Sequence, residues 1–85
     1  MSAQTTARET FADAAYMVKI YKYRSIFTDM YKAVAQIQLT HKTLRVESGE
    51  FYTKEMALEE LRYFIVKALP VGESFKVVQF ITNSK

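Results

Sequence analysis

Apolar and polar residues alternate with a period of two through much of the first half of the chain, whereas one later stretch repeats near 3.6. From Tyr16 the run Tyr-Met-Val-Lys-Ile-Tyr-Lys-Tyr-Arg is rich in residues that suit a pleated, half-buried surface, and it predicts a strand. Alternation places Tyr16, Val18, Ile20, Lys22 and Arg24 on one face of that strand. Met17, Lys19, Tyr21 and Tyr23 fall on the other. One face is expected to lie under a helix, and the second to offer tyrosines and lysines to solvent or a partner.

Met30 to Val46 reads in two ways. Tyr31, Ala33, Ala35, Ile37, Leu39 and His41 alternate with Lys32, Val34, Gln36, Gln38, Thr40 and Lys42, which is strand periodicity. The competing helix takes Thr28 as N-cap, Asp29 in the first turn and Phe27, Met30, Val34 and Ile37 as its apolar stripe. The strand reading is preferred and gives a long hairpin. Ser48 and Gly49 then suggest a tight reversal into a short strand through Phe51 and Tyr52.

Thr53 to Leu69 carries the helical signature. Ala57, Leu61, Phe64, Ile65 and Ala68 recur at helical spacing, while Glu59, Arg62 and Lys67 lie on the polar side. Thr53 can cap the start, Glu55, Glu59 and Glu60 lie towards the positive end of the dipole, and Lys67 lies near its negative end. Pro70 stops the helix and Gly72 helps turn the chain. The last run, Phe75 to Thr82, alternates again with apolar groups on both sides, which predicts an interior strand or a dimer seam. The expected fold is therefore α+β: a small antiparallel sheet of three or four strands with one main amphipathic helix across one face. If Met30 to Val46 were helical, the order would become ferredoxin-like, βαββαβ.

Residues 1–14 lack this patterning. They are read as a flexible or weakly helical N-terminal arm with Phe11 as its large apolar anchor after Met1, and residues 15–85 as a single domain. Arg8 among Ala, Thr and Ser has a transit-peptide flavour, but Glu9 and Asp13 argue against one. Eighty-five residues, 49% of them hydrophobic and twelve of them Phe or Tyr, make a folded domain with a thin core the expectation. Surplus apolar surface would favour a homo-oligomer, with a dimer preferred.

Charge changes the picture most. Between Ala14 and Val46, Lys19, Lys22, Arg24, Lys32, Lys42 and Arg45 stand against Asp29 alone; from Glu47 to Glu73 six acids face three bases. Such asymmetry is a statement about partners, because a basic surface attracts polyanions or acidic proteins.

Candidate chemistry narrows by elimination. His41 is the only histidine and cysteine is absent, so multi-histidine and thiolate metal sites, disulfides and a cysteine nucleophile are excluded. Two glycines cannot build a phosphate-cradling loop of the familiar kinds. Ser25, Ser48, Ser74 and His41 have no spacing that joins nucleophile, base and orienting group, and the acids at 55, 59 and 60 suit a solvated helix face. The expectation is a protein that is not an enzyme and takes no cofactor.

The function expected is a small binding module, an adaptor or inhibitor acting through protein contact. Met17, Tyr21, Tyr23, Phe80 and Ile81 are its candidate apolar anchors. The alternative is nucleic-acid binding, with Lys19, Lys22, Arg24, Lys32, Lys42 and Arg45 neutralising phosphates while Tyr21 or Tyr23 stacks on an unpaired base. No stretch approaches the roughly 20 apolar residues of a membrane span. The expected location is intracellular, in the cytoplasm, and the size suits a phage or mobile-element regulator.

Overall fold

The computed structural model describes residues 5–84. Four strands, β1 (Thr5–Ala12), β2 (Tyr16–Arg24), β3 (Asp29–Gln38) and β4 (Thr43–Glu47), are followed by two helices, α1 (Lys54–Ala68) and α2 (Val71–Asn83). The strands form one antiparallel sheet in the order β1-β2-β3-β4, each paired with its neighbours in sequence. The molecule is thus a small α+β fold, and its order is not the ferredoxin-like one.

Each reversal has a local cause. After β1, the Asp13 carboxylate accepts hydrogen bonds from the backbone N–H groups of Ala15 (2.8 Å) and Tyr16 (3.0 Å), a side chain standing in for a turn carbonyl. Between β2 and β3, the Ser25 hydroxyl donates to the Thr28 carbonyl and accepts from the Thr28 N–H, at 2.5 and 3.1 Å, which closes the hairpin around Ile26 and Phe27. Between β3 and β4, the Leu39 N–H donates to the Lys42 carbonyl at 2.8 Å.

Register decides the layers. Val18 pairs with Ala35, Ile20 with Ala33, and Ala35 in turn with Val46, so these residues share one face, and all of them are buried. The alanines at 33 and 35 leave room for helix side chains to approach the sheet. Ala57, Leu61 and Ile65 of α1 and Val77 and Ile81 of α2 fill that space and complete the core. Phe80 extends it towards the β1 edge, with its ring 5.5 Å from Phe11 and 5.4 Å from Tyr16.

Several expectations are corrected here. The run Phe75 to Thr82 is not a strand but lies within α2, where Ser74, Val77 and Ile81 are buried at helical spacing. The β-prone composition yields to tertiary context, since a helix satisfies its own backbone while laying one apolar face on the sheet. Thr5–Ala12, which the patterning assigns to a flexible or weakly helical arm over 1–14, is instead an edge strand paired with β2; residues 1–4 of that arm lie outside the described residues. The Ser48–Gly49 reversal does not open a new strand, because Phe51 contributes only an isolated bridge to Tyr31. Ser48 is buried, and its hydroxyl accepts the Ala33 N–H at 2.9 Å, extending the β3 ladder by a side chain. As expected, Thr53 caps α1 by accepting the Met56 N–H, and Pro70 separates the two helices.

Candidate binding surface

Both helices lie on one face of the sheet, and among the described residues the opposite face carries strand side chains alone. From β2 come Met17, Lys19, Tyr21 and Tyr23, from β3 Met30, Lys32, Val34 and Gln36, and from β4 Arg45 and Glu47. Cross-strand register sets Tyr23 beside Met30, Tyr21 beside Lys32, Lys19 beside Val34 and Met17 beside Gln36. The rings of Tyr21 and Tyr23 stack at 6.4 Å with an interplanar angle of 21°. Val34 is buried even here, at the floor of a dimple of about 50 Å³ walled by Met17, Lys19, Tyr21, Gln36 and Arg45.

One carboxylate on this face is shared by two of its three named cations. Glu47 takes an ion pair from Lys32 at 2.8 Å and another from Arg45 at 2.7 Å. The hydrogen bonds from Lys32 and then Arg45 hold the Glu47 carboxyl below its ordinary range, and the bond from Glu47 in turn raises the Lys32 ammonium, against the opposing effect of burial. Lys19 makes no ion pair among the described residues.

The β2–β3 hairpin continues the face beyond Tyr23 and Met30. At its tip Ile26 is 90% and Phe27 94% exposed, the two barest large apolar side chains among the described residues. Two such groups side by side in solvent forgo the roughly 1.5–3 kcal/mol each that burial would return.

The eight charged and aromatic residues singled out from the sequence therefore divide. Lys19, Tyr21, Tyr23, Lys32 and Arg45 gather on the open face, as alternation requires. Lys22 and Arg24 are turned to the helix side, where both pair with Asp29, at 3.5 and 3.8 Å. Lys42 sits at the far end, lining a cleft of about 400 Å³ between the β3–β4 turn and the α1–α2 joint with Leu39, His41, Leu69, Pro70 and Glu73. Among the suggested anchors, Ile81 belongs to the core and Phe80 is packed on Phe11 and Tyr16, so neither is presented to a partner.

Ile26, Phe27 and Met30 were not singled out as contact residues. A signal existed: two large apolar residues between Ser25 and Thr28, both turn formers, can only sit at a hairpin tip once 16–38 are read as two strands. Among the described residues there is no cluster of three or more histidine and carboxylate side chains that could hold a metal ion. No helix among them is long and apolar enough to cross a membrane. Comparison with protein-family models, curated proteins and solved structures finds no match to this chain.

Proposed function

We propose that this protein is a non-catalytic adaptor or inhibitor that docks on a partner protein through the open face of its sheet and the β2–β3 hairpin tip. One observation carries the reading: the side of the sheet without helices joins Met17, Tyr21, Tyr23 and Met30 to a tip made of bare Ile26 and Phe27. Tyrosine, methionine and phenylalanine supply large contact area, and interface energy concentrates in a few such anchors. Phe27 and Ile26 suit insertion into an apolar pocket, with Tyr21 and Tyr23 lying flat beside it. Lys19, Lys32 and Arg45 around them favour a partner with an acidic rim, which affects encounter rate and orientation more than affinity.

Nucleic-acid binding is the second reading, favoured by the stacked Tyr21–Tyr23 pair with Lys19 and Lys32 on the same face. Glu47 weighs against it, because this carboxylate sits among the same cations and already pairs with two of them.

The test compares wild type with Ile26→Ser/Phe27→Ser and Tyr21→Ala/Tyr23→Ala as baits in quantitative affinity capture, with thermal melts of each. Proteins retained by wild type should be lost from both variants while the melting temperature of the hairpin variant is unchanged. Equal capture by all three baits overturns the reading. A parallel anisotropy titration with mixed-sequence single-stranded RNA and DNA decides the second: binding that survives physiological salt and weakens in Lys19→Gln would move the assignment to nucleic acid.

A further inference from the structure

The outer side of α1 repeats a pattern that the fold does not use. Ala57, Leu61 and Ile65 face the core. At about 100° per residue, Met56, Glu59, Tyr63 and Val66 lie on the opposite side, spaced three and four apart like the seam of a coiled coil. Met56, Tyr63 and Val66 are all exposed, at 47, 58 and 54%. No described element covers them.

The charges flanking this seam are ordered along the helix. Glu55 and Glu60 flank it in the first half of α1, with Glu59 inside it, and Arg62 and Lys67 flank it in the second; Lys54, on the core side, is paired with Glu9 at 3.1 Å. We infer that α1 pairs with α1 of a second copy of this chain, antiparallel across a two-fold axis near the level of Leu61. A parallel arrangement would set acid against acid; the antiparallel one sets the acidic half of each helix against the basic half of the other. Facing positions on each side of an antiparallel seam then join Glu55 of one copy to Arg62 of the other, and Glu60, one of whose carboxylate oxygens already accepts the Gly49 N–H at 2.6 Å, to Lys67 through the second oxygen. Met56 meets Val66, and Glu59 meets Tyr63, whose ring already lies 5.0 Å from the Lys67 ammonium within its own copy. The helix dipoles also oppose favourably in this orientation. An unrelated partner would have no reason to match this sequence order, whereas a two-fold axis requires the surface to match itself.

The contact is modest. A 15-residue helix is about 22 Å long, so a single helix pair buries less than the roughly 1,600 Å² of a standard stable interface. The dimer is accordingly reversible and concentration-dependent. It leaves the open face of the sheet and the hairpin tip free, so it stands or falls separately from the docking reading, and two copies joined this way present two docking surfaces.

Sedimentation equilibrium on the full chain, from about 10 μM to about 1 mM, tests the inference over the range expected for a small reversible interface. Wild type should approach twice the monomer mass at the upper end. Tyr63→Glu, an exposed change that places a carboxylate against Glu59 of the other copy, should weaken association by about tenfold or more. Glu55→Lys should weaken it by about three- to tenfold, two such pairs being lost per dimer, and Glu55→Lys/Arg62→Glu should restore it. Circular dichroism of each variant checks that α1 is intact. A monomer throughout the range overturns the inference. So does a dimer that ignores Tyr63→Glu, or one that Ile26→Ser/Phe27→Ser abolishes, because association would then use another surface.

Discussion

At the scale of single residues, two polar side chains do work that composition would not assign to them. Ser48 is buried and supplies the acceptor for the Ala33 N–H where the β4 backbone turns away from β3. Ser48→Ala should leave that donor unpaired in the core and destabilise the fold by about 1–3 kcal/mol, as read from urea denaturation with an unchanged m-value. Glu47 makes a prediction about pH. Its carboxyl titrates below its ordinary value of 4.5 in the folded protein, so the stability it contributes is present above that value and is lost as pH falls through the lower, folded one. Lys32, raised above 10.5, contributes stability that is complete below that value and lost as pH rises through the folded one. Glu47→Gln should therefore melt below wild type at neutral pH, and the gap should close as the medium is acidified past the carboxylate range. A gap that stays constant with pH would mean that packing, not ionisation, sets the difference. Neither role was legible in advance, since a serine and a glutamate at the end of a strand look like ordinary turn and surface residues until register names their neighbours.

At the scale of elements, legibility followed periodicity. α1 was readable because Ala57, Leu61 and Ile65 keep one face apolar and Thr53 and Pro70 mark its ends. β2 and β3 were readable from alternation. α2 was not, since Phe75, Val77, Val78, Phe80 and Ile81 combine β-prone residues with an alternation that survives over eight positions. Pro70 followed by Glu73 in the first turn was the competing signal, and it marks a helix start. The element makes a direct prediction: Lys76→Pro, at an exposed position in the interior of α2, should cost about 3 kcal/mol or more and lower helical circular dichroism. If that segment could exist as an edge strand, the same substitution would be tolerated. β1 carries little signal for the opposite reason, as an edge strand shared between solvent and β2 needs few apolar residues to be held by its ladder.

For the molecule as a whole, the consequential fact is asymmetry of cover. Two helices on a four-stranded sheet bury one face and leave the other, and the longest principal extent, 40 Å against 22 and 19 Å, shows how far from spherical the result is. The basic charge noticed along the chain does not survive intact as a surface. Asp29 engages Lys22 and Arg24, and Glu47 engages Lys32 and Arg45, so four of the six cations of the basic half share two carboxylates, and its positive excess is tied down locally rather than cancelled. What remains distinctive is apolar: the hairpin tip at one end of the open face and the seam on the outside of α1. The captures with hairpin variants and the sedimentation of α1 variants address these two surfaces independently, and one can fail without the other.

Local spacing, with residues that begin or end a helix, is enough for the α+β class, for the strand alternation that separates Val18, Ile20, Lys22 and Arg24 from Lys19 and Tyr21, and for the limits of α1. Only packing between distant segments makes 71–83 helical, joins Thr5–Ala12 to the sheet, and gives Lys22 and Arg24 to Asp29 while Lys32 and Arg45 go to Glu47. Those outcomes depend on which surface is left to cover and which charges meet across strands, and such contacts are set by register and packing between residues far apart in the chain.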